Sequence, residues 1–353
     1  MTKHSQIILI ALCLCALFFN LTCKKESPVA PPQPTVPDTT SHNFTFQTFT
    51  FGGNAGSCVL SDVAIISDTN IWAVGAIYLD SADGEPDPFP YNVAHWDGQN
   101  WNLKQITVNY QGNPVIAPLD GIFAFSGTDI WMTNGFPIHG DGANWQMYQL
   151  QDMGIGASVS KAWGTSSSNI YFVGDDGSIV RYDGSSWTKI SSGTSLTFND
   201  IYGSGGQILA VCLQFNPLGG EIFSIQGNTA TQISSNPIEG YQFYGIWFTP
   251  NEQYYIALEF GGVYEKHSLS DNSWNPLEIT GAATTGVRGN GPNDVFVVSA
   301  TGDFLHWNGA DWKSFRGQTG LSSGGYARVA VNGNVVVAVG ANSPQAVITM
   351  GRR

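Results

Sequence analysis

Charge is scarce in this chain, and positive charge is scarcer still. Asp, Glu, Lys and Arg make up 12% of its 353 residues, with 14 basic against 27 acidic and a formal net charge of −13. A phosphate backbone repels such a surface, so no nucleic-acid partner is expected. Cysteine is scarce too. Of the five, Cys13, Cys15 and Cys23 lie near the N-terminus, leaving only Cys58 and Cys212 in the body, too few for a disulfide framework. Stretches rich in Ala, Glu, Lys and Leu are missing beyond the N-terminus, which disfavours a helical protein. Neither a P-loop nor a Cys-His arrangement emerges. The abundant residues are of another kind: 42 glycines, with aromatics at 12%. Many short turns and a large aromatic core suit an all-β protein.

The one long apolar run is IILIALCLCALFF (7–19). It follows Lys3 and His4, is too short to span a bilayer and has the length of a signal-peptide core. After NLTC, which ends at Cys23, residues 24–42 (KKESPVAPPQPTVPDTTSH) carry five prolines and no apolar periodicity. That composition makes a semi-extended tether.

The rest of the chain repeats itself. GIFAFSGTDIWMTNG (121–135) is similar to KAWGTSSSNIYFVG (161–174) and GIWFTPNEQYYIAL (245–258). Seven copies occur, with equivalent residues at Trp72, Trp131, Tyr171, Leu209, Tyr255, Phe296 and Val337. Most copies continue with a second element: AHWDGQNW (94–101), IHGDGANW (138–145), VRYDGSSW (180–187) and FLHWNGADW (304–312). Asp-Gly and Asn-Gly between apolar runs favour tight turns. A pair found in most repeats is therefore a structural device rather than a carboxylate site. Four short strands per unit of roughly 40 residues predict a β-propeller blade. Seven four-stranded blades are expected. The last copy lacks a fourth strand, and FTFQTFTF (44–51) is expected to supply it and close the ring, removing exposed sheet edges.

Two resemblances follow from these residues. NLTC resembles a bacterial lipoprotein signal, in which the cysteine is acylated and becomes residue one; Thr22 departs from the family's Gly, Ala or Ser. The resemblance implies a signal peptide over 1–22, lipidation of Cys23, a Pro-rich tether over 23–42 and a propeller over 43–353. An ordinary signal peptide or an uncleaved anchor is the other reading. The repeats resemble those of Asp-box (sialidase-type) and YCF48-like bacterial propellers, with a kelch-like corner between third and fourth strands. That likeness covers roughly 44–350 and implies a blade rather than an activity.

Sialidases carry a three-arginine clamp and a Tyr–Glu nucleophile pair. Here the body holds Arg181, Arg288, Arg316 and Arg328 besides the terminal Arg352 and Arg353, and no Tyr–Glu pair is recognisable. The histidines His95, His139 and His306 are repeat-equivalent, which favours a structural role over a zinc site. The insertion AIYLDSADGEPDPFPYN (76–92) clusters Asp80, Asp83, Glu85 and Asp87, hard-oxygen ligands for Ca²⁺ or simply a solvated acidic loop. Inner-strand positions hold Phe123, Trp163, Tyr202, Trp247 and Arg288, which either stack on a ligand at the channel mouth or wedge between blades. Tyr241, Phe243 and Tyr244 precede the inner strand of the fifth repeat and are candidates for an exposed aromatic contact. The expected function is a membrane-tethered, non-catalytic propeller at the cell envelope, probing a protein or glycan with one face and needing no organic cofactor. An exported glycan-active enzyme, a sialidase-like hydrolase or a lyase, is the alternative.

Overall fold

The seven repeats fold into seven four-stranded antiparallel sheets, the blades of a β-propeller. The computed structural model describes residues 39–353 apart from Asn236; the expected signal segment, Cys23 and most of the expected tether lie outside the described residues. Blades 1 to 6 span 59–104, 121–147, 161–190, 197–235, 243–277 and 284–314. Blade 7 combines 325–352 with Thr45–Phe51. Inner strands of successive blades pack against one another, and the inner strand of blade 7 packs against that of blade 1. The long connection from blade 1 to blade 2 adds a hairpin of Val108–Tyr110 and Asn113–Val115.

The second strand of each blade is the most apolar because both of its faces are covered by neighbouring blades. Asp294–Ser299 is buried at every position, as is Asn70–Ile77 after its first residue. Alternation weakens where there is no solvent face to oppose the core.

The Asp-Gly pairs are turn chemistry. Asp97 accepts the backbone N–H groups of Gln99 and Asn100, Asp141 those of Ala143 and Asn144, and Asp183 those of Ser185 and Ser186. Asn308 does the same for Ala310 and Asp311. The following Gly98, Gly142, Gly184 and Gly309 all have φ between 88° and 99°, which a side chain resists. These hydrogen bonds stabilise the ionised carboxylate, and the Asp141 carboxyl is held down at about 2.

Closure uses the odd spacing between Phe46 and Phe49. Phe44 and Phe46 pack on the core between blades 6 and 7, while Phe49 and Phe51 pack on the core shared with blade 1. One strand thus serves two interfaces, because an odd step turns side chains to opposite faces. Its backbone pairs with Gln345–Arg352 over seven residues, from Thr45 opposite Arg352 to Phe51 opposite Ala346. Both ends of the described chain dock on blade 6. Arg353 grips Asp294 with two hydrogen bonds (2.8 and 2.5 Å), and His42 Nδ1 lies 2.8 Å from His306 Nδ1. Cys58 and Cys212 are free, buried thiols.

Candidate functional site

Each blade runs inward strand first. Its inner strand starts on the face where the blade-to-blade connections and the second-to-third turns emerge, here called the upper face. Residues paired with the second strand at one level of the ring are Asp62, Gly121, Lys161, Asp200, Gly245, Gly286 and Arg328. Two residues further down come Ala64, Phe123, Trp163, Tyr202, Trp247, Arg288 and Ala330. The channel therefore has a charged layer near its upper mouth and an aromatic layer beneath it.

The charged layer is organised as two equivalent bridges, each skipping one blade. Lys161 of blade 3 reaches Asp62 of blade 1 (3.0 Å) and the backbone oxygen of Asp120 (2.7 Å). Arg288 of blade 6 grips Asp200 of blade 4 through two nitrogens (2.8 and 2.7 Å) and the backbone oxygen of Ile246 (3.2 Å). The skipped blades contribute Gly121 and Gly245 at this level, where a large side chain would fill the path. In both bridges the carboxylate also accepts a backbone N–H from the skipped blade, Ile122 for Asp62 and Ile246 for Asp200. Burial opposes the charge on Asp200, but the attraction of Arg288, with help from Arg328 and Ile246, holds its carboxyl below the usual range. Burial likewise lowers the Lys161 ammonium, with Asp62 working in the opposite direction. Arg328 of blade 7 crosses to the backbone oxygens of Thr285 (2.8 Å) and Asn199 (3.0 Å).

Beneath this layer lies a cavity of about 210 Å³ lined by Phe123, Trp163, Tyr202, Lys161 and Arg288, among others. The Arg288 guanidinium lies over the Tyr202 ring at 5.6 Å. Trp163 is half-buried and lies against Gly203 of the next blade. Trp247 makes the same contact with Gly289 but is only 2% exposed. The structure thus brings Trp163 and Arg288 together at the cavity and leaves Trp247 as a wedge between blades. Tyr244 bulges out of its strand at the upper mouth of the channel. Its hydroxyl is pushed up by burial and by Glu259, with Arg328 opposing.

The acidic insertion is not assembled as a ligand set. Asp80 accepts the backbone N–H groups of Asn54 and Ala55, whereas Asp83 is turned to Ser81 and the Glu85 backbone. Asp87 and Glu85 enter through backbone hydrogen bonds that shape the turn. Among the described residues no group of three His, Cys, Asp or Glu side chains is placed to hold a metal ion. The carboxylates of Asp80 and Asp83 are here spent on loop geometry.

The upper face carries a feature that the sequence reading missed. Of the large apolar side chains exposed among the described residues, all but Ile233 lie at this face: Val59, Phe89, Tyr110, Met153, Phe215, Leu218 and Phe260. Phe260 is 73% exposed and has φ = 56°, a conformation costing an L-residue about 1–2 kcal/mol. Tyr241 lies beneath it, its ring against Gly261. The available signal was a phenylalanine in a glycine-flanked turn, at EFGG (259–262) and FNPLGG (215–220). Part of the charged layer was also legible, since Asp62, Lys161, Asp200 and Arg328 occupy one slot of the aligned repeat, whereas Arg288 reaches it from the slot below.

These features define a seven-bladed β-propeller with a plugged channel and one apolar-studded face. Its similarity to solved structures is in fold. A structure described as YCF48 bound to D1 peptide superposes with a TM-score of 0.65 at 13% identity, covering 90% of this chain and all of that one. The WD40 propeller domain of Doa1 gives 0.61 at 11% identity over 89% and 98% of the two chains. Virginiamycin B lyase from Staphylococcus aureus gives 0.57 at 10% over 88% and 100%. No protein-family model and no curated protein matches the sequence.

Proposed function

We propose that this protein is a lipid-anchored, non-catalytic binding propeller of the bacterial cell envelope that holds a protein partner on its upper face. The observation that carries this reading is the gathering of exposed apolar side chains on that face, since such clusters mark interaction sites. A neighbour in fold is described as bound to a peptide, which agrees with it. The anchor rests on the sequence around Cys23: incorporation of labelled fatty acid by the parent and its loss in Cys23→Ser is expected.

The partner experiment places a photo-crosslinking amino acid at Phe89 or Met153 on the upper face, and at Asp68 or Gly206 on the opposite one. Crosslinks to one defined protein from the upper positions alone are expected. Equal crosslinking from both faces, or none, would overturn the reading. A glycan ligand is the second reading, supported by the aromatic-walled cavity with Trp163 and Arg288. Consumption of a glycan by the chain, abolished in Arg288→Met, would turn that reading into the glycan-active enzyme.

A further inference from the structure

We propose that Phe215, Leu218 and Phe260 form one docking corner for an apolar peptide segment of the partner that is flanked by lysine or arginine. The inference rests on the upper-face reading above and names the partner's chemistry. Phe215 and Leu218 stand on the second-to-third turn of blade 4 and are 72% and 50% exposed. Phe260 stands on the equivalent turn of blade 5. The segment 240–242 ties the two turns together. Gly240 N–H donates to the Leu218 oxygen (3.2 Å), Gln242 Nε2 to the Gln214 oxygen (3.3 Å), and Glu259 N–H to the Gln242 oxygen (3.0 Å). With Tyr241 packed under Gly261, the three apolar tips sit on a braced platform rather than on free loops.

Folding does not explain Phe260. A left-handed turn position is best served by glycine or asparagine, and a 73% exposed ring gains little from the core. Its aromatic ring is thus free to contact something outside the chain. The charge around the corner decides what. Between residues 197 and 277 the only Lys or Arg is Lys266, which is 7% exposed beneath Trp274, whereas Glu239 and Glu259 border the corner itself. An apolar segment with acidic flanks meets repulsion here; one with basic flanks meets complementary charge.

The test uses the full chain and two fluorescent peptides with the same Leu-Trp-Phe-Leu centre, one flanked by Lys-Arg pairs and one by Glu pairs, read by anisotropy. The basic peptide is expected to bind at least about tenfold more tightly than the acidic one. Phe260→Gly, which leaves the charge unchanged and suits the turn, is expected to weaken the basic peptide about tenfold without lowering the melting temperature. Phe215→Ser with Leu218→Ser is expected to do the same. Unchanged binding in Phe260→Gly, or equal binding of the acidic peptide, overturns the corner. A partner crosslinked from Phe89 and retained equally by Phe260→Gly overturns the corner and leaves the upper-face reading standing. No crosslinked partner, with the basic peptide still bound through Phe260, overturns the upper-face reading alone.

Discussion

Asp200 and Arg288 meet through the channel, two blades apart, at the level where the intervening blade has Gly245. A β-carbon at Gly245 would lie 3.6 Å from Asp200 Oδ2, so there is room for a methyl group and for little more. Gly245→Ala is expected to change stability by less than about 1 kcal/mol, whereas Gly245→Leu should cost about 1–3 kcal/mol by overpacking. Thermal melting of the two variants side by side checks this, and equal melting temperatures would contradict it.

The pair itself should behave as a buried ion pair. Arg288→Met leaves Asp200, whose side chain is 2% exposed, without its counter-charge and should cost about 3–5 kcal/mol. Adding Asp200→Asn should recover much of that loss, because the residual penalty is an uncompensated charge rather than a missing contact. Urea denaturation of the single and double variants measures it. A double variant no more stable than Arg288→Met would show that the loss lies elsewhere.

Trp247 and Gly289 fit in a similar way. The ring lies where a β-carbon on Gly289 would sit, 2.7 Å away. Gly289→Ala should destabilise by about 1–3 kcal/mol, and Trp247→Leu in the same chain should relieve part of the strain. A double-mutant cycle followed by melting reads the coupling directly.

The docked segment around His42 should loosen in mild acid. Burial and the neighbouring His306 lower the His42 imidazole below its ordinary value of 6.5. A base whose folded value is depressed binds a proton more readily when released, so docking is favoured above pH 6.5 and weakens as pH falls through that range. Asp311 tempers the effect, while Lys313 adds to the local positive charge. Hydrogen exchange at 40–44 should speed up between pH 7 and pH 5 relative to the blade cores. Exchange independent of pH, after correction for intrinsic rates, would refute it.

Cys58 and Cys212 should resist a thiol reagent in the native protein and both react once it is unfolded without reductant. Both are buried, and burial pushes the Cys212 thiol well above its ordinary range. Mass spectrometry of the labelled peptides distinguishes this from a disulfide, which would leave both unlabelled.

Much of the fold was legible because a blade is written in local terms. The period-two strands and the Asp97, Asp141 and Asp183 turns each act through neighbours a few residues away or through one adjacent strand, and the alternating phenylalanines of 44–51 mark a strand whatever its partners. The site was legible only in part. Arg288 and Trp163 both line the cavity, but Trp247, in the equivalent slot and against an equivalent glycine, is sealed between blades. The carboxylates of 80–87 looked like ligands by spacing, yet Asp80 and Asp83 are turned to backbone donors.

The sequence by itself determined the number of blades, the turn chemistry and the strand that closes the ring, since repeat spacing and side-chain alternation are properties of the chain. Only the tertiary structure decided that Asp62 pairs with Lys161 and Asp200 with Arg288, and that the turns carrying Phe215, Leu218 and Phe260 are tied together through 240–242. Those distances are set by the curvature of a closed ring, which brings together residues that no local pattern relates.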